Sequence, residues 1–395
     1  MSDVNDALAL GAQHRVDSNP LEQAGMVALF ALAGALQFSI AVAQILLTIA
    51  IICWVALMIV RRERFEAPSF FWPLVAYGAM TLVSAGFSAD PRTSLIDSKQ
   101  LALFLVVPVT FRFATGERGH TLITVMVSCA AASAAVGIIQ YGILHYDQLG
   151  QRPQGTLGHY MTYSGLLMIV IAVAVSRLLF GKSDRTWAAL VLPALGVAVA
   201  LTFSRNTAVG VCVATALLFS LKDFRLFAVV PIVVAVFIAA APGEIARRYA
   251  SMFNMNDPTV RDRVAMLHIG ERMIAARPLT GVGPNMVERL YPQYRGPDAV
   301  KPVNPHLHNN PLQIAAERGL PALAIWVWFL VALVRDLWKR FSDGRHRELG
   351  AAALATIVAL LAAGLFEYNF GDSEVLMLFL LIVTLPAAAD RSAAA

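Results

Sequence analysis

"IAVAQILLTIAIICWVALMIVRRER", residues 40–64, decides the class of fold. No charge interrupts it from Ile40 to Val60. A hydrocarbon core of ~30 Å needs ~20 mostly apolar residues at a rise of ~1.5 Å each, so this run is long enough to cross a bilayer as one helix. It stops on Arg61, Arg62 and Arg64, the kind of cluster that stays on the cytoplasmic side. The apolar sequence begins earlier, and residues 23–60 together are too long for one span. They divide near Leu36–Ile40 into two.

Applied outward, the same standard reads further spans near 70–87, 99–114, 121–144, 160–180, 187–203, 206–221 and 225–241, then, after a long break, 320–339, 349–366 and 374–389. About twelve result. Composition agrees: the 395 residues are 58% hydrophobic and only 14% charged, against ~25% charged in a soluble domain. The chain therefore reads as an all-α polytopic membrane protein. No cleavable signal peptide is expected, because the first twenty or so residues are polar and no small-residue cleavage site follows. Cys53, Cys129 and Cys212 all lie in apolar runs and read as packing residues rather than disulfide partners or ligands.

The net charge of +5 does not point to nucleic acid. Most Lys and Arg sit between spans, where the positive-inside rule accounts for them. With the N-terminus in the cytoplasm, the inner segments hold Arg15, Arg61, Arg62, Arg64, Arg112, Arg118, Arg177, Lys182, Arg185, Lys222, Arg225 and the run from Arg335 to Arg347. The short outer loops hold only Arg92, Lys99, Arg152 and Arg205. The expected organisation follows: a cytoplasmic segment 1–22, a first bundle of about nine helices over 23–241, a large outer loop 242–319, three final helices over 320–389 and a cytoplasmic tail 390–395. A loop that long in a compact protein is usually functional, and stretches such as "VAMLHIGERMIA" (264–275) predict short helices within it.

Five polar groups stand out. Arg205, in "ALTFSRNTAVGV", is a cation flanked by apolar sequence; it is either a site residue or a snorkelling edge arginine. In "DPTVRDRVAML" (257–267), Asp257 and Pro258 read as a helix start. Arg261 and Arg263 then cannot share a face at i, i+2, so one points inward. "ARPLTGVGPN" (276–285) is a turn in which Gly281 and Gly283 allow close backbone approach. It is an ordinary turn, or its N–H groups cradle a phosphate. "NPHLHNNPLQ" (304–313) packs His306, His308, Asn309 and Asn310 before an apolar helix. Asn309 or Asn310 is expected to cap that helix, with Pro311 in its first turn, and capping leaves the histidines unexplained. A neutral imidazole suits general base work. Metal is not expected, because no acid or cysteine stands at a recognised spacing from the H-x-H pair. Last, "FEYNFGDSE" (366–374) offers Glu367, Asp372 and Glu374 as carboxylates to orient a histidine or arginine.

His308–Asn309 followed by nine residues and Gly319 resembles the signature of bacterial O-antigen ligases of the WaaL type, within the wider O-antigen ligase and polymerase superfamily. The arginine of "TFSRN", the arginine of the loop helix and "RPLTGVGPN" resemble further elements in the expected order. The chain departs from the family pattern at Ala322, where a second glycine is expected. The resemblance implies a C-type glycosyltransferase fold with its site facing the periplasm of the inner membrane. It implies an undecaprenyl-pyrophosphate-linked O-antigen as donor, a lipid A–core oligosaccharide as acceptor, and no nucleotide sugar, cofactor or obligatory metal. Arg205 and Arg263, with Arg152 and Arg261 in reserve, would then bind pyrophosphate. His308 would be the base, and Asp372 would orient it. An O-antigen polymerase or a protein O-oligosaccharyltransferase shares the donor. A flippase or transporter would instead carry polar residues at mid-span.

Overall fold

The computed structural model describes residues 19–232, 235, 243, 257–297 and 299–391. The expected span 225–241, the loop as far as residue 256 and the two chain ends lie largely outside the described residues. Fourteen α-helices make up the described chain, in order: α1 (Pro20–Ala35), α2 (Ile40–Val60), α3 (Phe71–Gly86), α4 (Pro91–Asp97), α5 (Val106–Phe113), α6 (Arg118–Gly142), α7 (Tyr160–Phe180), α8 (Arg185–Leu201), α9 (Arg205–Lys222), α10 (Pro258–Ala276), α11 (Val287–Tyr294), α12 (Asn310–Asp343), α13 (Arg347–Gly364) and α14 (Ser373–Ala389). A 3-10 stretch, Ser98–Leu105, joins α4 to α5. The described residues contain no strand, only one isolated antiparallel bridge between Gln148 and Gln151.

Among the described residues, six helical stretches are long and apolar enough to cross a membrane: α2, the α4–α5 run, α6, α7, α12 and α13. Four shorter apolar helices, α1, α3, α8 and α14, accompany them. Side-chain exposure sorts this bundle into centre and rim. α7 is buried on nearly every side, and it packs against α6, α8, α9, α13 and α14. α2 instead turns Ile45, Ile52 and Ile59 outward, each more than half exposed. A helix that is apolar all round with one exposed apolar stripe is satisfied only by lipid. The arrangement is that of a polytopic membrane protein.

Charges gather at the two ends of the bundle. At one end Arg112 makes a two-pronged pair with Glu63 (2.8 and 2.9 Å), Arg61 bonds Glu22 (2.9 Å) and Arg340 bonds Asp336 (2.8 Å). Arg177 sits in the same layer, fully buried, with its Nε 2.6 Å from Glu348 on α13. The other end carries α10, α11 and the turns around them. These have an apolar core of their own, built from Met266, Ile269, Met273, Val282, Met286, Val287, Tyr291 and Leu307.

Two boundaries differ from expectation. The helix expected to start at Asn309–Pro311 is joined to the span expected from residue 320, so α12 starts at Asn310, inside the expected outer loop. Gly319 (φ +84, ψ 167) breaks it, so the first turns lie at the end of the bundle that carries α10 and the rest runs down the bundle. The gap between α8 and α9 is three residues, closed by Phe203 in the left-handed region (φ +56). That tight turn delivers Arg205 as the first residue of α9, 6% exposed.

Candidate active site

The site grows from the cap of α12. Asn309 is the cap: its Oδ1 accepts from Leu312 N–H (2.9 Å) while its Nδ2 donates to Leu365 O (3.0 Å). Pro311 stands in the first turn, where its missing N–H costs nothing. Immediately before the cap, His308 takes φ +49, a region that non-glycine residues enter only when their surroundings demand it. Its ring is thereby aimed at the connection between α13 and α14.

That connection supplies the carboxylate. Glu367 Oε2 lies 2.9 Å from His308 Nδ1, and Glu367 Oε1 lies 3.5 Å from His306 Nε2. A clamp of asparagines holds the two segments in register. Asn310 Nδ2 donates to Asn369 Oδ1 (2.6 Å), Phe370 N–H donates to Asn310 Oδ1 (3.1 Å) and Asn369 Nδ2 donates to Leu360 O (3.1 Å). Only glycine fits at 364, since a Cβ there would lie 2.2 Å from Asn310 Nδ2. The expectation that Asp372 orients His308 is corrected here. Asp372 caps α14 by accepting from Val375 N–H (3.1 Å), and its second oxygen accepts from Thr162 Oγ1 (2.5 Å). A carboxylate committed to a helix cap is turned along the helix, away from the imidazole.

His306 and His308 open onto a cavity of about 350 Å³. Arg152, Arg205 and Arg263 line it, together with Lys301. Arg152 arrives on the turn between α6 and α7, its guanidinium stacked 4.3 Å over the Tyr160 ring and its Nε donating to Leu149 O (2.9 Å). Arg205 Nη2 lies 3.6 Å from Asp257 Oδ1. Arg263 comes from α10, which Asp257 caps through Thr259 N–H (2.8 Å) with Pro258 following. Its Nε is buried with no hydrogen-bond partner. Arg261 is exposed and does not line the cavity, as the i, i+2 spacing requires.

Electrostatics complete the picture. Burial pushes the Arg263 guanidinium below its ordinary value; Glu367 opposes this and the like charge of Arg205 adds to it. Burial also works to raise the Glu367 carboxyl, but the His308 hydrogen bond and the neighbouring charges outweigh it and hold Glu367 well below the usual carboxylate range. Burial pushes His306 down to about 4. At neutral pH the site thus holds the Glu367 carboxylate and a neutral His306 beside four cations, with Asp257 near Arg205 and Asp262 near Lys301. The buried Nε–H of Arg263 has no hydrogen-bond partner, and an anion in the cavity would supply one.

Gly281 and Gly283 do not reach this cavity. Gly281 (φ +66) lies so close to the break in α12 that a Cβ would sit 2.3 Å from Glu317 O, and a Cβ on Gly319 would sit 2.3 Å from Leu279 O. The backbone N–H groups are spent on the same contact: Val282 donates to Ala316 O and Gly283 to Glu317 O, each at 2.9 Å. The phosphate-cradle reading of "RPLTGVGPN" is corrected accordingly. The turn splints the kink in α12. Ala322, the departure from the family pattern, is fully buried just below that kink and away from the histidines.

His306, His308 and Glu367 also offer ligand atoms that all lie within 4.8 Å of one another, a spacing that a metal ion could use. No acid stands at a recognised metal spacing from the H-x-H pair in the sequence; the fold brings Glu367 to it from the candidate carboxylates at 366–374. Sequence reasoning also missed Lys301 and His159, which line the cavity. Neither sits in a recognisable pattern, and only the packing of α7 and α10 brings them there.

Comparison with known proteins gives one family. Residues 188–327 match the family model described as O-antigen ligase (Wzy_C). The match runs from α8 through Arg205, α10, the glycine turn and His308 to the first half of α12. No curated protein sequence matches the chain. The matched stretch, which carries Arg205, Arg263 and both histidines to one end of a membrane bundle, is thus similar to the O-antigen ligase family.

Proposed function

We propose that this protein transfers an O-antigen glycan from undecaprenyl pyrophosphate to a sugar hydroxyl of the lipid A–core oligosaccharide, at the periplasmic face of the bacterial inner membrane. The observation that carries this reading is the His308–Glu367 hydrogen bond at the edge of a cavity lined by three arginines and Lys301. Fixed cations are what a departing pyrophosphate needs, because negative charge grows on the phosphate oxygen as its bond to the anomeric carbon breaks. Arginine meets phosphate with a two-pronged fork, and Arg205 and Arg263 hold the deepest positions. The N-terminus of α9, at Arg205, adds its dipole.

Glu367 accepts a hydrogen bond from His308 Nδ1–H, which leaves Nε2 as the acceptor for a proton. As the acceptor hydroxyl attacks the anomeric carbon, its proton passes to His308 Nε2. The new glycosidic bond forms, and the electron pair of the old one leaves with the pyrophosphate. A single displacement of this kind inverts the anomeric centre. Glu367 is a positioning residue: it sets the tautomer and stabilises the imidazolium without touching substrate.

The same three side chains favour one second reading, in which His306, His308 and Glu367 hold a metal ion. A polymerase or a protein O-oligosaccharyltransferase would use the same donor. A strain lacking the protein is expected to accumulate lipid-linked polymer while its core oligosaccharide stays uncapped. Accumulation of single repeat units would instead identify a polymerase.

The topology belongs to the proposal too: about twelve spans, both termini cytoplasmic, and the segment from 242 to the start of α12 outside. It is supported by the Lys/Arg bias and by the charged layer that Arg61, Arg112 and Arg340 form at the end opposite the cavity. Gln293→Cys, exposed on α11, should react with a membrane-impermeant thiol reagent in cells whose outer membrane is permeable. Protection of that cysteine would reverse the orientation.

A further inference from the structure

A second cavity, of about 210 Å³, shares a wall with the first: His159, Met161, Asn206 and His306 line both. Its chemistry is opposite. No arginine or lysine lines it. Its lining combines carboxylates and neutral hydrogen-bonding groups, Asp372, Glu367, Asn206 and Thr207, with the apolar side chains of Met168, Ala363 and Val375. Asp372 already accepts from Thr162 and from Val375 N–H. A carboxylate has about four lone-pair positions, so it keeps acceptor capacity.

The two cavities therefore sort ligands by charge. An anion is drawn to the first and repelled from the second, where the full charges are carboxylates. A ligand for the second must be uncharged, rich in hydroxyl donors on one side and in C–H groups on the other. Pockets of this mixed kind, mostly apolar with a few placed polar groups, orient small molecules. The ligand would lie beside the phosphate, because His159, Asn206 and His306 line both cavities.

We infer that the second cavity is a sugar subsite, which seats one ring beside the pyrophosphate with its hydroxyls toward Asp372 and Asn206 and its C–H face on Met168, Ala363 and Val375. The inference rests on the pyrophosphate reading of the first cavity. The ring is either the donor sugar joined to the phosphate or the acceptor sugar that attacks it; both present the same chemistry.

Two variants separate these outcomes. Ala363→Met sends a flexible side chain into the cavity from its apolar wall. Asp372→Asn keeps the helix cap, since asparagine caps as well as aspartate, and exchanges for an amide the carboxylate oxygen that faces Thr162 and the cavity. Purified protein is assayed with undecaprenyl pyrophosphate bearing no sugar, with the glycan-bearing donor and with the lipid A–core acceptor. Both variants should bind the sugarless lipid as wild type does, which also shows that they fold. A rise in KM of about tenfold or more for the donor alone assigns the donor ring, and the same rise for the acceptor alone assigns the acceptor ring. Unchanged KM values for both substrates overturn the subsite. If Ala363→Met fails to bind the sugarless lipid, Asp372→Asn decides by the same readings. Undiminished binding of the sugarless lipid to Arg263→Ala would overturn the pyrophosphate reading instead.

Discussion

Replacing His308 with alanine is expected to lower kcat for glycan transfer by ~10²–10⁴-fold, the usual worth of a general base. His306→Ala should keep a substantial part of the activity. The difference comes from geometry. His308 shares the 2.9 Å contact with Glu367 and is held by the adjacent helix cap, whereas His306 stands 3.5 Å from the same carboxylate. Glu367→Gln should lower kcat with little change in donor KM, because it disturbs the direction and tautomer of the base and not the binding of pyrophosphate. The pH profile separates the histidines. His306 is held down to about 4 and Glu367 lower than an ordinary carboxylate, so neither takes up a proton until the medium is strongly acidic. A loss of activity that sets in well above pH 4 therefore comes from neither His306 nor Glu367. Full activity in His308→Ala would remove the base assignment. Activity lost to a chelator and restored by a divalent cation would replace it with the metal reading of His306, His308 and Glu367.

The second large effect is expected at the arginines. Arg205→Ala and Arg263→Ala should each cut transfer by ~10²-fold or more, the scale seen when one preorganised donor to a developing anion is removed, while the protein still reaches the membrane. Lysine should rescue only in part, because an ammonium cannot make the two-pronged contact. Arg261→Ala should be mild: its side chain is exposed and faces away from the cavity. Purified variants assayed with lipid-linked donor and core acceptor check all three. Normal turnover in either the Arg205 or the Arg263 variant would strike that residue from the pyrophosphate site. Arg263 carries the sharper expectation. It is half-buried, its buried Nε has no hydrogen-bond partner, and its charge is disfavoured where it stands, so a bound pyrophosphate offsets a cost already built into the fold.

The parts of this protein that depend on neighbours in the chain were legible without coordinates. An apolar run between charged clusters is a membrane helix because the bilayer, and not the rest of the protein, sets its length. Asn309 before Pro311 starts a helix wherever it occurs, and Asp257–Pro258 does the same for α10. Arg261 and Arg263 face different ways because two residues make about 200° of helical turn. These are local rules, and they already brought His308, Arg205 and Arg263 to notice.

Tertiary structure alone decided which charges meet. Glu367 stands fifty-nine residues from His308, and it reaches the imidazole because Asn310 and Asn369 lock the head of α12 to the connection after α13. Asp372 carries the same charge five residues further on, yet the capping of α14 turns it toward Thr162 and the second cavity. Gly281 and Gly319 read as separate glycines in separate segments; only the folded chain makes them two sides of one close backbone contact. A carboxylate's partner depends on where helices pack, and packing depends on the shapes of surfaces distant in sequence. The membrane determined the helices one at a time, and the contacts between helices determined the chemistry.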